Sequence, residues 1–247
     1  MKKFWLLPLW VPFFLLLLCY LAAEIQLWVL LSLWSTGLAV SLLLRSRLPS
    51  KRGILLSLLF AVLTALSYLG FYPGFSLSML LAGIPTLLCS LAVLSVAERT
   101  GKPKLISSSP LLSLLIALAA GLLLGGVNYL LIRGSNPLDF AWTPSRLLVC
   151  LSPAIYEEIA CRAIFLAYCL FSLGDQPPTR FQRFTLWFMA IVPHTLSHGY
   201  DLVSTILLCL LFGLPFAILQ RKRDLASAMV SHGLVDTIRF TLFGLGM

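Results

Sequence analysis

The stretch Ser152–Phe165, SPAIYEEIACRAIF, sets two adjacent carboxylates, Glu157 and Glu158, and an arginine, Arg162, inside a run that is otherwise almost wholly apolar. A charged side chain at the centre of a bilayer costs about 3 kcal/mol on insertion scales, so such residues are rare there and mark function. The reading of this stretch turns on whether its surroundings are membrane.

They are. The chain of 247 residues is 60% hydrophobic and 11% charged, with a mean hydropathy of +0.98. A soluble domain is about half apolar and about a quarter charged, so that class is excluded. Apolar runs predict an all-α polytopic transmembrane bundle of eight or nine helices, over residues 4–22, 25–44, 54–71, 77–97, 111–132, 147–171, 185–200, 202–220 and 225–245. Lys2 and Lys3 give the first span a basic start. Pro8 and Pro12 interrupt its apolar run, Tyr20 and Glu24 follow it, and no small-x-small cleavage site appears. It reads as a membrane helix rather than a cleaved signal.

Basic residues set the orientation. With a cytoplasmic N-terminus, Arg45, Arg47, Lys51, Arg52, Arg99, Lys102, Lys104, Arg180, Arg183, Arg221, Lys222 and Arg223 fall inside, and Arg133 and Arg146 outside. The net charge of +9 is thereby dispersed as short anchors at helix ends, which argues against a nucleic-acid partner. Short loops and the absence of transit-peptide features point to a prokaryotic cytoplasmic membrane. The cysteines at 19, 89, 150, 161, 169 and 209 all fall within predicted helices and form no Cys-x-x-Cys pair, so they read as packing residues.

Polar chemistry is confined to the back half. Residues 1–110 read as scaffold helices in lipid contact, and residues 111–247 as the functional core. Gly121 and Gly125 in the fifth span have the spacing that lets helices approach closely, and read as packing inside the bundle. Glu157, Glu158, Asp236 and all three histidines, His194, His198 and His232, lie inside predicted spans. A rise of about 1.5 Å per residue puts them at overlapping depths, so one intramembrane polar site is allowed. Glu158 and Arg162 are four apart, with the acid N-terminal, the favourable order for a helix ion pair. That pairing leaves Glu157, turned about 100° away, free to face the site as a base. His194 and His198 repeat the four-residue spacing, as do His232 and Asp236.

Glu-Glu-x-x-x-Arg, then a histidine one helix later, then His232 in VSHGLVD, resembles the signature of the CPBP intramembrane proteases. That family includes the CAAX prenyl endopeptidases and the bacteriocin-processing or Abi proteins. The resemblance covers about residues 145–240 and implies hydrolysis of a peptide bond in a membrane-associated protein or peptide. It implies Glu157 as the base that activates water, His198 in PHTLSHGY as a holder of that water, and His232 with residue 236 at the oxyanion. It also implies a glutamic mechanism with no metal or cofactor.

Two positions depart from the family. His194 stands where Phe is usual, and Asp236 where Asn is usual. An Asn amide donates to an oxyanion, whereas Asp236 does so only in its protonated form. The extra histidine and acid raise a zinc alternative, with Glu157, His194, His198 and His232 as candidate ligands, although the His-Glu-x-x-His pattern is absent. Blander roles also exist. Glu158 and Arg162 form a structural pair in any case, His194 orients His198, the other histidines act as interhelical struts, and Asp236 pairs with Arg239. Rival functions are a non-catalytic immunity or scaffold protein on the same fold and a proton-coupled transporter. The lack of polar residues in the front half counts against inverted transporter repeats.

Overall fold

A computed structural model describes residues 5–22, 26–71, 74 and 76–245. Lys2, Lys3 and Glu24, at the two ends of the first predicted span, lie outside the described residues. Among the described residues the chain is helical and has no strand. Its helices are α1 (Leu7–Ala22), α2 (Leu27–Leu43), α3 (Lys51–Ser67), α4 (Leu77–Thr100) and α5 (Pro110–Ile132). α6 covers 144–173, α7 is Arg180–Ser197, α8 is Leu202–Lys222 and α9 is Leu225–Phe243. Lys51–Gly70, Leu77–Thr100, Pro110–Ile132 and Leu202–Lys222 are each long and apolar enough to cross a bilayer.

Short polar residues start the helices. Ser50 caps α3 by accepting from Gly53 N at 3.3 Å, and its own hydroxyl donates to Glu98 of α4 at 2.7 Å. Thr179 and Gln182 form a capping box on α7. That box sets the start of α7 at Arg180, five residues before the predicted edge at 185. Asp201 caps α8, and its bonds with Ser204 hold its carboxyl below the usual range. Asp224 caps α9, accepting from Ser227 N at 2.7 Å and from Ser107 N at 3.0 Å. Burial pushes the Asp224 carboxyl up, but its hydrogen bonds from Ser227 and Ser107 outweigh that and hold it down.

α6 is the central rod. It begins as Pro144–Val149, widens through two π-helical stretches, Ser152–Glu157 and Ile159–Ala163, and ends as Ile164–Leu173. Pro153 brings no N–H to the ladder at the start of the widened region. Residues Ile159–Cys169 are buried throughout, packed by α2, α4 and α7, while α9 packs on the preceding stretch Ser152–Glu157. Trp34 of α2 meets Phe165 edge to face at 4.6 Å, and Trp10 of α1 stacks on Phe188 of α7 at 5.3 Å.

α5 lies along α9. A Cβ on Gly121 would sit 2.9 Å from Leu234 Cδ2, and one on Gly125 would collide with Ile238 Cδ1. The two glycines therefore serve packing inside the bundle, as expected. The outward faces are apolar. Leu111, Leu115, Leu122 and Leu123 on α5 and Val11, Leu18 and Leu21 on α1 are exposed, an arrangement suited to lipid and costly in water.

Candidate active site

Three helices bring seven polar residues together: Glu157, Glu158 and Arg162 from α6, His194 and His198 from α7, and His232 and Asp236 from α9. Glu158 and Arg162 form the expected ion pair, fully buried. Arg162 does more than that. Its Nε donates to Ala190 O at 3.1 Å, in the turn of α7 loosened by Pro193. Its Nη2 lies 3.1 Å from His194 Nδ1, and its guanidinium carbon 5.5 Å from the centre of the Phe216 ring.

Both carboxylates reach His232. Its Nδ1 is 2.7 Å from Glu158 Oε1, and its Nε2 is 3.6 Å from Glu157 Oε2 and 3.4 Å from Asp236 Oδ2. Phe216 stacks on the same ring at 4.4 Å and fixes its plane. Glu157 and Glu158 differ in access. The Glu157 side chain is 15% exposed and that of Glu158 is 0%, so water can reach only the former.

Three expectations need correction. Glu157 is not an unpartnered carboxylate, because His194 Nε2 lies 2.9 Å from its Oε2. His194 serves Glu157 rather than orienting His198, since the Arg162 and Glu157 contacts occupy both of its ring nitrogens. Asp236 meets His232 and not Arg239, whose guanidinium lies over Phe240 at 5.3 Å.

His198 caps the C-terminal end of α7, where Gly199 turns away with φ +69°. Trp28 of α2 packs edge-on against it at 5.0 Å, and Tyr200 stacks on its other side at 5.6 Å. One ligand atom from each of Glu157, His194 and His198 falls within 4.8 Å of the others.

Trp28, Phe216 and Gln220 were not foreseen. Gln220 Nε2 donates to Glu158 O at 3.3 Å. A lone amide in an apolar span was a usable signal for Gln220, but one tryptophan among many apolar residues was none for Trp28. Beside the cluster, α6 and α9 flank an apolar groove of about 270 Å³, lined in part by Cys150, Ala154, Met229 and Gly233.

Residues 139–238 match the Rce1-like family of type II CAAX prenyl endopeptidases. The likeness read from the Glu-Glu-x-x-x-Arg and histidine motifs is thus borne out over this part of the chain. All seven clustered residues lie inside the match, and Trp28 lies outside it. The match supports a CAAX-type intramembrane protease in general, integral to the membrane. No curated protein and no solved structure matches the chain.

Proposed function

We propose that the protein is an intramembrane endopeptidase that hydrolyses a peptide bond of a membrane-associated protein or peptide, with Glu157 as the general base. One observation carries the reading. The water-accessible carboxylate of Glu157 stands beside His232, which is itself anchored by the buried Glu158–Arg162 pair.

Glu157 takes a proton from water as the water oxygen attacks the scissile carbonyl carbon. His198, at the rim of the cluster, holds that water. The carbonyl oxygen becomes an oxyanion beside His232 Nε2 and Asp236. His232 Nδ1–H donates to Glu158, so a second proton on Nε2 makes the ring an imidazolium facing the oxyanion. Glu157 and Glu158 as anions then balance Arg162 and His232 as cations, with Asp236 neutral and able to donate. Collapse breaks the C–N bond, and Glu157 returns its proton to the leaving amine. The groove between α6 and α9 offers an extended substrate segment a lateral approach.

A second mechanism, zinc-assisted hydrolysis, would draw on Glu157, His194 and His198, whose ligand atoms lie within 4.8 Å of one another, and it requires His194 Nε2 to offer a free lone pair. We further propose a prokaryotic cytoplasmic membrane with the N-terminus inside, residues 1–110 as a supporting unit and 111–247 as the catalytic one.

The test is cleavage of candidate membrane substrates in cells carrying wild type or Glu157→Gln, with both proteins quantified in the membrane. Loss of cleavage at equal abundance supports Glu157 as base. Cleavage at the wild-type rate removes it from that role. A biological phenotype that survives the substitution without any cleavage favours the scaffold or immunity alternative.

A further inference from the structure

Resting on the protease reading, we propose that His194 is a positioning residue: Arg162 fixes it as the Nε2–H tautomer, and that one proton both holds the Glu157 carboxylate and keeps a metal ion off the ring. A guanidinium donates hydrogen bonds and accepts none. Arg162 Nη2 lies 3.1 Å from His194 Nδ1, so Nδ1 must present its lone pair. A proton there would set N–H against N–H, with no acceptor between them. The ring's proton therefore sits on Nε2, 2.9 Å from Glu157 Oε2, and donates to it. Flipping the ring would put carbon atoms at both places and lose both bonds. Both partners are held in turn, since Arg162 is clamped by Glu158 and by Ala190 O.

The consequence for metal is direct. A histidine bound to a metal through Nε2 gives that nitrogen's lone pair to the metal and donates Nδ1–H to a carboxylate, carbonyl or water. Here Nδ1 faces a cation that only donates. With His194 removed, the group whose ligand atoms lie within 4.8 Å of one another shrinks to Glu157 and His198, with His232 outside it, too few protein ligands for a catalytic zinc. The Phe usual at this position in the family could neither accept from Arg162 nor donate to Glu157. The chain thus carries a base held from behind by a ring of fixed tautomer, a polar device in place of an apolar contact.

The experiment uses full-length protein in lipid nanodiscs with ¹⁵N-labelled histidine. The two ring nitrogens of a neutral tautomer are distinguished by their ¹⁵N shifts. His194 is expected as Nε2–H, unchanged by added zinc, with no stoichiometric metal retained after purification in zinc. A predominant Nδ1–H form, or zinc binding that moves the His194 resonances, overturns the proposal. In parallel, His194→Phe is expected to lower kcat by roughly 100-fold with KM nearly unchanged, because the base loses its orientation. His194→Gln is expected to recover most of that loss, since its carbonyl oxygen can accept from Arg162 while its amide donates to Glu157. Wild-type kcat in His194→Phe also overturns the proposal. If the wild type cleaves nothing, the protease reading fails, and the tautomer and zinc results still decide the His194 assignment.

Discussion

At the scale of single residues, the site is a set of shared partners, and each substitution should reveal which sharing matters. Asp236 Oδ2 lies 3.4 Å from His232 Nε2, the ring nitrogen proposed to face the oxyanion. If it donates as a neutral acid, Asp236→Asn supplies the same hydrogen bond without needing a proton. Cleavage should then be retained at neutral pH. At higher pH, where an acid loses its proton, the wild type should decline and Asp236→Asn should not. Asp236→Ala should lower kcat by about 100-fold, the usual cost of one oxyanion donor. A kcat–pH profile of the three proteins checks this, and matching profiles for wild type and Asp236→Asn would refute a protonated role. Glu158 differs from Glu157 in being fully buried, bonded to Arg162 and His232. Glu158→Gln leaves a buried arginine without its counter-charge and should destabilise the fold by about 3 kcal/mol, read as lost abundance or a lower melting temperature in detergent. The Glu158–Arg162 pair was legible in the sequence from its spacing alone. The partners of His194 were not, because helical spacing points along α7 to His198, whereas the ring points across to α6.

At the scale of helices, the apolar runs marked every element, and the nine predicted ranges each coincide with a helix among the described residues. The widening of α6 was invisible, since a period of about 3.6 residues is assumed in any such reading. The two π-helical stretches lie on either side of Glu158, and Glu157 and Glu158 reach His232 at different ring nitrogens, Nε2 and Nδ1. Packing against α5 then holds α9, and so His232, in place. Gly125→Leu should drive a side chain into Ile238 and cost about 2 kcal/mol or more. Gly126→Ala has open space around its Cβ and should be neutral or stabilising by up to ~1 kcal/mol. Thermal unfolding of the pair separates close packing from a generic glycine effect, and equal losses would reject the packing role. At the N-terminal end of α9, Asp224 ties the cap to the 107 segment. Its carboxyl is held below the ordinary range, so its stabilisation is present above that range and is lost as pH falls through it. Asp224→Ala should cost about 1 kcal/mol at neutral pH, with a smaller difference in acid.

At the scale of the whole molecule, helices from the front and the back of the chain meet around the polar cluster. Every ionisable member of the cluster comes from α6, α7 and α9, yet Trp28 of α2 lies 5.0 Å from His198 and 5.6 Å from His194, ring centre to ring centre. Tyr200 closes the other side of His198, and its carbonyl is held by Tyr20 of α1 at 2.6 Å. The front helices thus supply the wall that fixes where His198 points. If His198 positions the attacking water, removing that wall should disturb chemistry without touching any acid or base. Trp28→Ala should lower kcat by roughly 10-fold while the protein still folds, because a misplacement of about 1 Å is enough to cost more than that. Trp28→Phe keeps an aromatic edge against the imidazole and should stay within about two-fold of wild type. Steady-state kinetics on a cleaved substrate, with circular dichroism as the check on folding, decides the matter. Wild-type kcat in Trp28→Ala would return α1 and α2 to the role of lipid-facing scaffold.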